Sequence, residues 1–186
     1  MSAQRFEGKV AIVTGGSMGI GRATALQLAR EGAQVIACAR RMPRLDSLGD
    51  EIAAFDGKFK GVELDIGDID AFAQLISDTA NKYGRLDILV NNAPTVIGGM
   101  ILDQNIEDWR ANFGVCVESV FIGVQAALRV MQPQGRGSII NISSVSSLRA
   151  GLAAGAYSAA KAAVNQFSMC AAMEAAPYGV RVNVVA

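Results

Sequence analysis

Short, nearly continuous apolar runs alternate along this chain with longer stretches whose apolar positions recur every three or four residues. "KVAIVTGG" (9–16) begins with β-branched residues and breaks at glycines, which predicts a buried strand opening into a loop. "GIGRATALQLAREGA" follows with helical spacing at Ile20, Ala23, Leu26 and Leu28, and stops at Gly32. "QVIACAR" predicts a second strand, and residues from about 44 to 54 a charged, leucine-bearing helix. The alternation continues through a strand at "KGVELDI", a helix at "IDAFAQLISDTANKYG", a strand at "LDILVNNA" and one long helix at "NIEDWRANFGVCVESVFIGVQAALRVM". "GSIINISS" predicts a fifth strand, residues from about 155 to 176 a helix, and "GVRVNVVA" a sixth strand. Apolar strands alternating with helices indicate a parallel sheet covered on both faces, a doubly wound α/β fold. With no linker, low-complexity segment or repeat beyond the strand–helix unit, residues 1–186 read as a single domain.

Composition narrows the function. Seventeen basic residues balance seventeen acidic ones, so no net field draws the chain to nucleic acid or an anionic membrane, and a small-molecule partner is expected. "MSAQRFEGKV" lacks the apolar core of a signal peptide, and no stretch approaches the ~18 uninterrupted apolar residues of a membrane span; a cytoplasmic setting is expected. Cys38, Cys116 and Cys170 are widely spaced and read as reduced thiols. Histidine is absent, which excludes a Ser-His-Asp triad, a His-Glu-x-x-His zinc site and a histidine base; no metal is expected. Acid/base chemistry falls to Tyr, Lys, Asp, Glu or Cys.

In doubly wound sheets the ligand crevice lies outside the carboxyl ends of the strands, where the strand order reverses. "TGGSMGIG" (14–21) stands at such a place. Glycines at 15, 19 and 21 allow a tight turn, close approach of backbone N–H groups to a pyrophosphate, and close helix–strand contact; a plain strand-to-helix turn is the simpler alternative. In "AGAYSAAKAAV" the two titratable residues, Tyr157 and Lys161, are spaced i and i+4 and share a helix face. An ammonium ~4.5 Å from the phenol, at an effective dielectric of ~20, stabilises the phenolate by roughly 3 to 4 kcal/mol.

The loop spacing T-G-x-x-x-G-x-G resembles that of the short-chain dehydrogenase/reductase family. "LDI" (64–66), "NNA" (91–93), "NISS" (141–144) and "YSAAK" (157–161) follow in that family's order, across nearly the whole chain. The resemblance implies a Rossmann fold with strand order 3-2-1-4-5-6 and hydride transfer between a nicotinamide and a carbonyl/alcohol pair. It implies that Gly15, Ser17, Met18, Gly19, Ile20 and Gly21 hold the dinucleotide, that Asp65 and Ile66 flank its adenine, and that Asn92 and Ala93 line the wall beside its riboses. It also implies a catalytic set: Ser144 orients the substrate oxygen, Tyr157 moves the proton, and Lys161 assists Tyr157 and holds ribose hydroxyls. Read alone, Asp65 is equally a helix cap and Asn91-Asn92 a pair of turn formers. Ser143 is the alternative to Ser144, although strand alternation turns only one of them to the site.

An NAD site carries an acid at the end of the second strand, whereas NADP needs a cation there. Here the position is Ala39, followed by Arg40 and Arg41; NADP is therefore expected over NAD, with Arg40 on the 2′-phosphate, unless both arginines form only a solvated face.

Three features depart from the family's pattern. Cys116 occupies the position where the family carries an Asn, with Asn112 one turn earlier; Pro94 follows "NNA"; and the chain stops after "RVNVVA", before the helix and strand that usually cover the substrate. The expectation is an NADP-dependent ketone reductase or secondary-alcohol dehydrogenase, a homodimer or tetramer by resemblance. A catalytically weakened dinucleotide-binding sensor or structural partner is the alternative.

Overall fold

A computed structural model describes residues 4–186. Six parallel strands form one sheet: β1 (Val10–Thr14), β2 (Gln34–Ala39), β3 (Lys58–Glu63), β4 (Ile88–Asn91), β5 (Gly137–Ile142) and β6 (Val180–Val185). Their order is β3-β2-β1-β4-β5-β6, the order expected. All five pairings are parallel, with Ile12 beside Ile36 on one side and Leu89 on the other.

Alternate side chains of the central strands enter two cores. Ile12, Ile36, Leu89 and Ile139 point to the face covered by α3 (Ile69–Tyr83), α5 (Ser119–Gln134) and α6 (Gly155–Ala175), where Phe72, Ile76, Val124, Met131 and Val164 meet them. Ala11, Val13, Val35 and Ala37 point to the opposite face, covered by α1 (Gly19–Arg30) and α2 (Met42–Ala53) through Ala25, Leu28, Leu45 and Ile52. That two-sided burial is why the strands read as unbroken apolar runs.

The predicted long helix after β4 is in fact three pieces: α4 (Ile106–Phe113), a π-turn (Gly114–Glu118) closed by the Ser119 N–H on the Gly114 carbonyl, and α5. Long and apolar enough on length and composition to cross a membrane, it lies here against α3, β4 and β5. β3 begins at Lys58, two residues earlier than its apolar pattern indicates, because Gly57 follows the α2 exit and pairing with β2 starts at once. Among the described residues β6 is an edge strand, paired only with β5.

Candidate active site

β1 and β4 leave the sheet in opposite crossover directions, and the gap between their carboxyl ends is the switch point of the fold. A cavity of about 750 Å³ opens there. It is lined by Gly15, Ser17, Met18, Gly19 and Ile20 after β1, Arg40 and Arg41 after β2, Asp65 and Ile66 after β3, Asn92 and Ala93 after β4, Ser144 after β5, and Tyr157 and Lys161 on α6. Apart from Gly21, every residue that the resemblance assigns to the dinucleotide or to the catalytic set thus lines one continuous space.

Gly21 lies beneath it. A Cβ there would stand 2.4 Å from the Gly15 carbonyl oxygen and 2.4 Å from Asn92 Nδ2, so its place is close contact between α1 and the turn rather than the cavity wall. Gly15 and Gly19 have φ of +65° and +56°, which L side chains rarely adopt. The α1 N-terminus carries no side-chain cap and no acid in its first turn, leaving its backbone N–H groups and positive dipole end free to meet an anion.

Thr14 joins this turn to the β4 exit. Its hydroxyl accepts from the N–H groups of Asn92 (2.9 Å) and Ala93 (3.1 Å), while Asn92 Nδ2 donates to the Thr14 carbonyl at 2.9 Å. Asn91 is a strand residue, not a turn former: its amide donates to Asn141 Oδ1 (2.8 Å), whose own amide donates to Ser168 Oγ (2.9 Å), a buried polar chain from β4 through β5 to α6. Asp65 does not cap α3; that is Asp68, which accepts from the Ala71 N–H. Asp65 instead accepts from the Gly67 N–H at 3.0 Å. Arg40 is exposed and, among the described residues, makes no ion pair.

On the β5–β6 side of the sheet, α6 packs against β6, with Ala156, Ala160, Val164 and Ser168 among its buried residues. Lys161 is 3% exposed; its ammonium donates to the Ile142 carbonyl at 2.7 Å and lies 5.8 Å from the centre of the Tyr157 ring. Burial pushes the Lys161 pKa below the usual lysine range, opposed by the nearby Cys116 sulfur. One ammonium hydrogen is spent on Ile142, leaving two for other acceptors. Ser143 and Ser144 both line the cavity: Ser143, the more buried of the two, donates to the Lys161 carbonyl at 3.3 Å, and Ser144 accepts from the Ser146 N–H at 3.1 Å. The expected alternation does not separate them, since β5 ends at Ile142 and both serines lie in the segment after it. Cys38 also lines the cavity, but burial pushes its thiol up to about 12, so it is no nucleophile at neutral pH.

Cys116 is fully buried; its thiol donates to the Thr95 carbonyl at 3.2 Å. Asn112 is equally buried and does not line the cavity. A second cavity of about 700 Å³ lies between α3 and β3, with Ile36, Val62 and Leu75 in its walls and Lys60 and Lys82 among the polar residues around it. It has no glycine turn and no strand exit, the features that mark the switch point.

A parallel sheet in this order, with a glycine turn entering a helix at the switch point, defines a nucleotide-binding protein of the Rossmann type. The sequence profile of the short chain dehydrogenase family matches residues 9–186, and the chain belongs to that family of oxidoreductases, which use NAD(P) and act on CH–OH or carbonyl groups. It is 38% identical to a 3-oxoacyl-[acyl-carrier-protein] reductase of Thermotoga maritima, over 98% of this chain and 74% of that protein. It is 36% identical to an NADP-dependent (R)-specific alcohol dehydrogenase of Lentilactobacillus kefiri, over 97% of this chain and 73% of that protein. The solved structure of a short-chain type dehydrogenase/reductase from Mycobacterium marinum superposes with a TM-score of 0.93 at 35% identity, covering 98% of this chain and 73% of that one.

Proposed function

We propose that this protein transfers a hydride between NADP(H) and a small carbonyl/alcohol pair, acting as a ketone reductase or secondary-alcohol dehydrogenase. The observation that carries this reading is the single cavity that a glycine turn and Arg40 line together with Ser144, Tyr157 and Lys161. The residues fit a dinucleotide: an uncapped helix N-terminus suits a pyrophosphate, and Gly15 leaves room that a Cβ would close at 2.9 Å from Ala93 Cα. When bound, the nicotinamide supplies the hydride donor or acceptor.

The chain's own residues supply geometry and protons. Ser144 holds the substrate oxygen beside the Tyr157 hydroxyl, and Tyr157 gives that oxygen its proton in reduction or removes it in oxidation. Lys161, anchored by the Ile142 carbonyl, places a buried amine beside the phenol and offers its remaining hydrogens to ribose hydroxyls. Arg40 and Arg41, where an acid would stand in an NAD site, give a 2′-phosphate a planar fork, and the NADP-dependent Lentilactobacillus relative is consistent with that preference. Exposed Trp109, Phe121, Met169 and Met173 on α4, α5 and α6 support homo-oligomerisation.

Kinetics with NADPH, NADH and a panel of ketones test the proposal. Arg40→Ala is expected to weaken NADPH by about 10- to 100-fold, the loss of one charge-assisted contact, and to leave NADH within about twofold. Equal losses with both cofactors refute the phosphate role. Tyr157→Phe is expected to abolish turnover while sparing NADPH binding; undiminished turnover refutes the mechanism.

A further inference from the structure

Part of the cavity wall comes from the segment after β4. Pro94 and Thr95 line it, yet residues 92–105 contain no strand or helix, so side chains must hold their backbone. Thr14 fixes its first two residues. Asn112 does the equivalent at Ile97. Its Oδ1 accepts from the Ile97 N–H at 3.2 Å and its Nδ2 donates to the Ile97 carbonyl at 3.0 Å, pairing with one residue's backbone as a neighbouring strand would. The same Nδ2 donates to the Asp108 carbonyl at 2.9 Å. One turn further on, in the π-turn, the Cys116 thiol holds the Thr95 carbonyl.

The chemistry of Asn112 argues for a task. A fully buried amide costs free energy unless its hydrogen bonds are made, and an apolar side chain there would carry no such cost. Three bonds are made, two of them to the loop. From Ile97 the restraint passes on: the Gly99 N–H donates to the Ala153 carbonyl at 2.9 Å, and a Cβ on Gly98 would stand 2.9 Å from that same oxygen. Ala153 holds φ of +57° two residues before α6, which carries Tyr157 in its first turn.

We propose that Asn112, with Cys116, is a positioning residue that determines substrate specificity: by holding Ile97 and Thr95 they set the separation between the Pro94–Thr95 wall and the Ser144/Tyr157 side, and so which carbonyl compounds fit between them. This rests on the function proposed above. Small ketones need little of that wall, whereas bulky aryl ketones depend on where it stands.

Two measurements test it. Amide hydrogen exchange of the protein alone requires no catalysis. In the wild type the Ile97 amide is expected to exchange at least tenfold more slowly than that of Val96, for which the structure shows no such acceptor. Asn112→Leu is expected to speed exchange at Ile97 and Gly99 by about 30-fold, the consequence of two lost hydrogen bonds. Steady-state kinetics with NADPH then compare one small dialkyl ketone with one bulky aryl ketone. Asn112→Leu is expected to change the ratio of their kcat/KM values by at least fivefold, chiefly through KM, and Cys116→Ala to change it in the same direction, with Cys116→Ser restoring it.

An Ile97 amide as exposed as that of Val96 overturns the clamp with no variant needed. Equal losses on both ketones overturn the specificity role and leave Asn112 as a structural residue only. A wild-type protein that reduces no ketone overturns the functional reading together with the specificity role, and the exchange result still decides the clamp.

Discussion

Gly21→Ala separates the two reasons for glycine in the turn. At Gly21 the backbone is ordinary, but the added methyl would stand 2.4 Å from both the Gly15 carbonyl oxygen and Asn92 Nδ2, about 1 Å inside a normal contact. Relief requires the Gly15 peptide to rise into the cavity or Asn92 to release the Thr14 carbonyl, which it holds at 2.9 Å. Overpacking costs about 1 to 3 kcal/mol and the lost hydrogen bond about 1 kcal/mol, together about 2 to 4 kcal/mol. Because the strain falls on the cavity wall, NADPH affinity is expected to drop by about 30- to 1,000-fold. Gly19 presents the opposite case, with nothing within 4 Å of a Cβ but φ of +56°; Gly19→Ala should lose only the roughly 1 to 2 kcal/mol of a left-handed residue. Fluorescence titration of NADPH, with urea unfolding of each variant alongside, measures both. Unchanged affinity and stability in Gly21→Ala, or a larger loss in Gly19→Ala, would refute the assignment of these two roles.

Two further outcomes are expected. Asn141→Leu breaks the buried chain at its middle and leaves Asn91 Nδ2 without its acceptor; the urea midpoint should fall by the equivalent of about 2 to 4 kcal/mol with an unchanged m-value. At Asp87, burial pushes the carboxyl up, but the Arg85 fork, the Val10 N–H and Lys9 outweigh it and hold the pKa below the ordinary value of 3.8. Its stabilisation is therefore complete above that value and fades as pH falls through it toward the depressed one. Asp87→Asn should destabilise the protein by about 2 kcal/mol at pH 7 and flatten its acid-unfolding curve below about pH 4; an unchanged curve counts against the pairing.

The sheet was legible because Val10–Thr14 and Ile88–Asn91 are buried on both sides, and double burial leaves continuous apolar runs. The motifs fell where strands end, so the cavity could be placed before its geometry was known. Less was visible where a role depends on contact between distant segments. The break between α4 and α5 leaves no mark on hydrophobic spacing, since Val115, Cys116 and Val120 continue an apolar stripe through a turn with i→i+5 bonding. Gly21 carries the same letter as Gly15 and Gly19 but stands under the turn, and only coordinates tell a packing glycine from a conformational one. Asn112 reads as one polar residue on a helix; nothing in its sequence neighbourhood points to Ile97.

These missed contacts share a cause that bears on how the site works. A parallel sheet ends abruptly at its carboxyl edge, and the segments leaving β1, β4 and β5 have backbone groups that no further strand can satisfy. In this protein buried side chains take over: Thr14 for residues 92 and 93, Asn112 and Cys116 for residues 95 and 97, Lys161 for Ile142. Each replaces a missing ladder bond with one made from a neighbouring element, so each fixes the spacing between two walls of the same cavity. Lys161 is the limiting case, since the bond that completes β5 also anchors the amine beside Tyr157. Structural and chemical demands on that residue cannot be separated by deletion. A shortened or neutral replacement would leave the Ile142 carbonyl unpaired as well as removing the amine, and only a pH profile, read beside amide exchange at β5, divides the two effects.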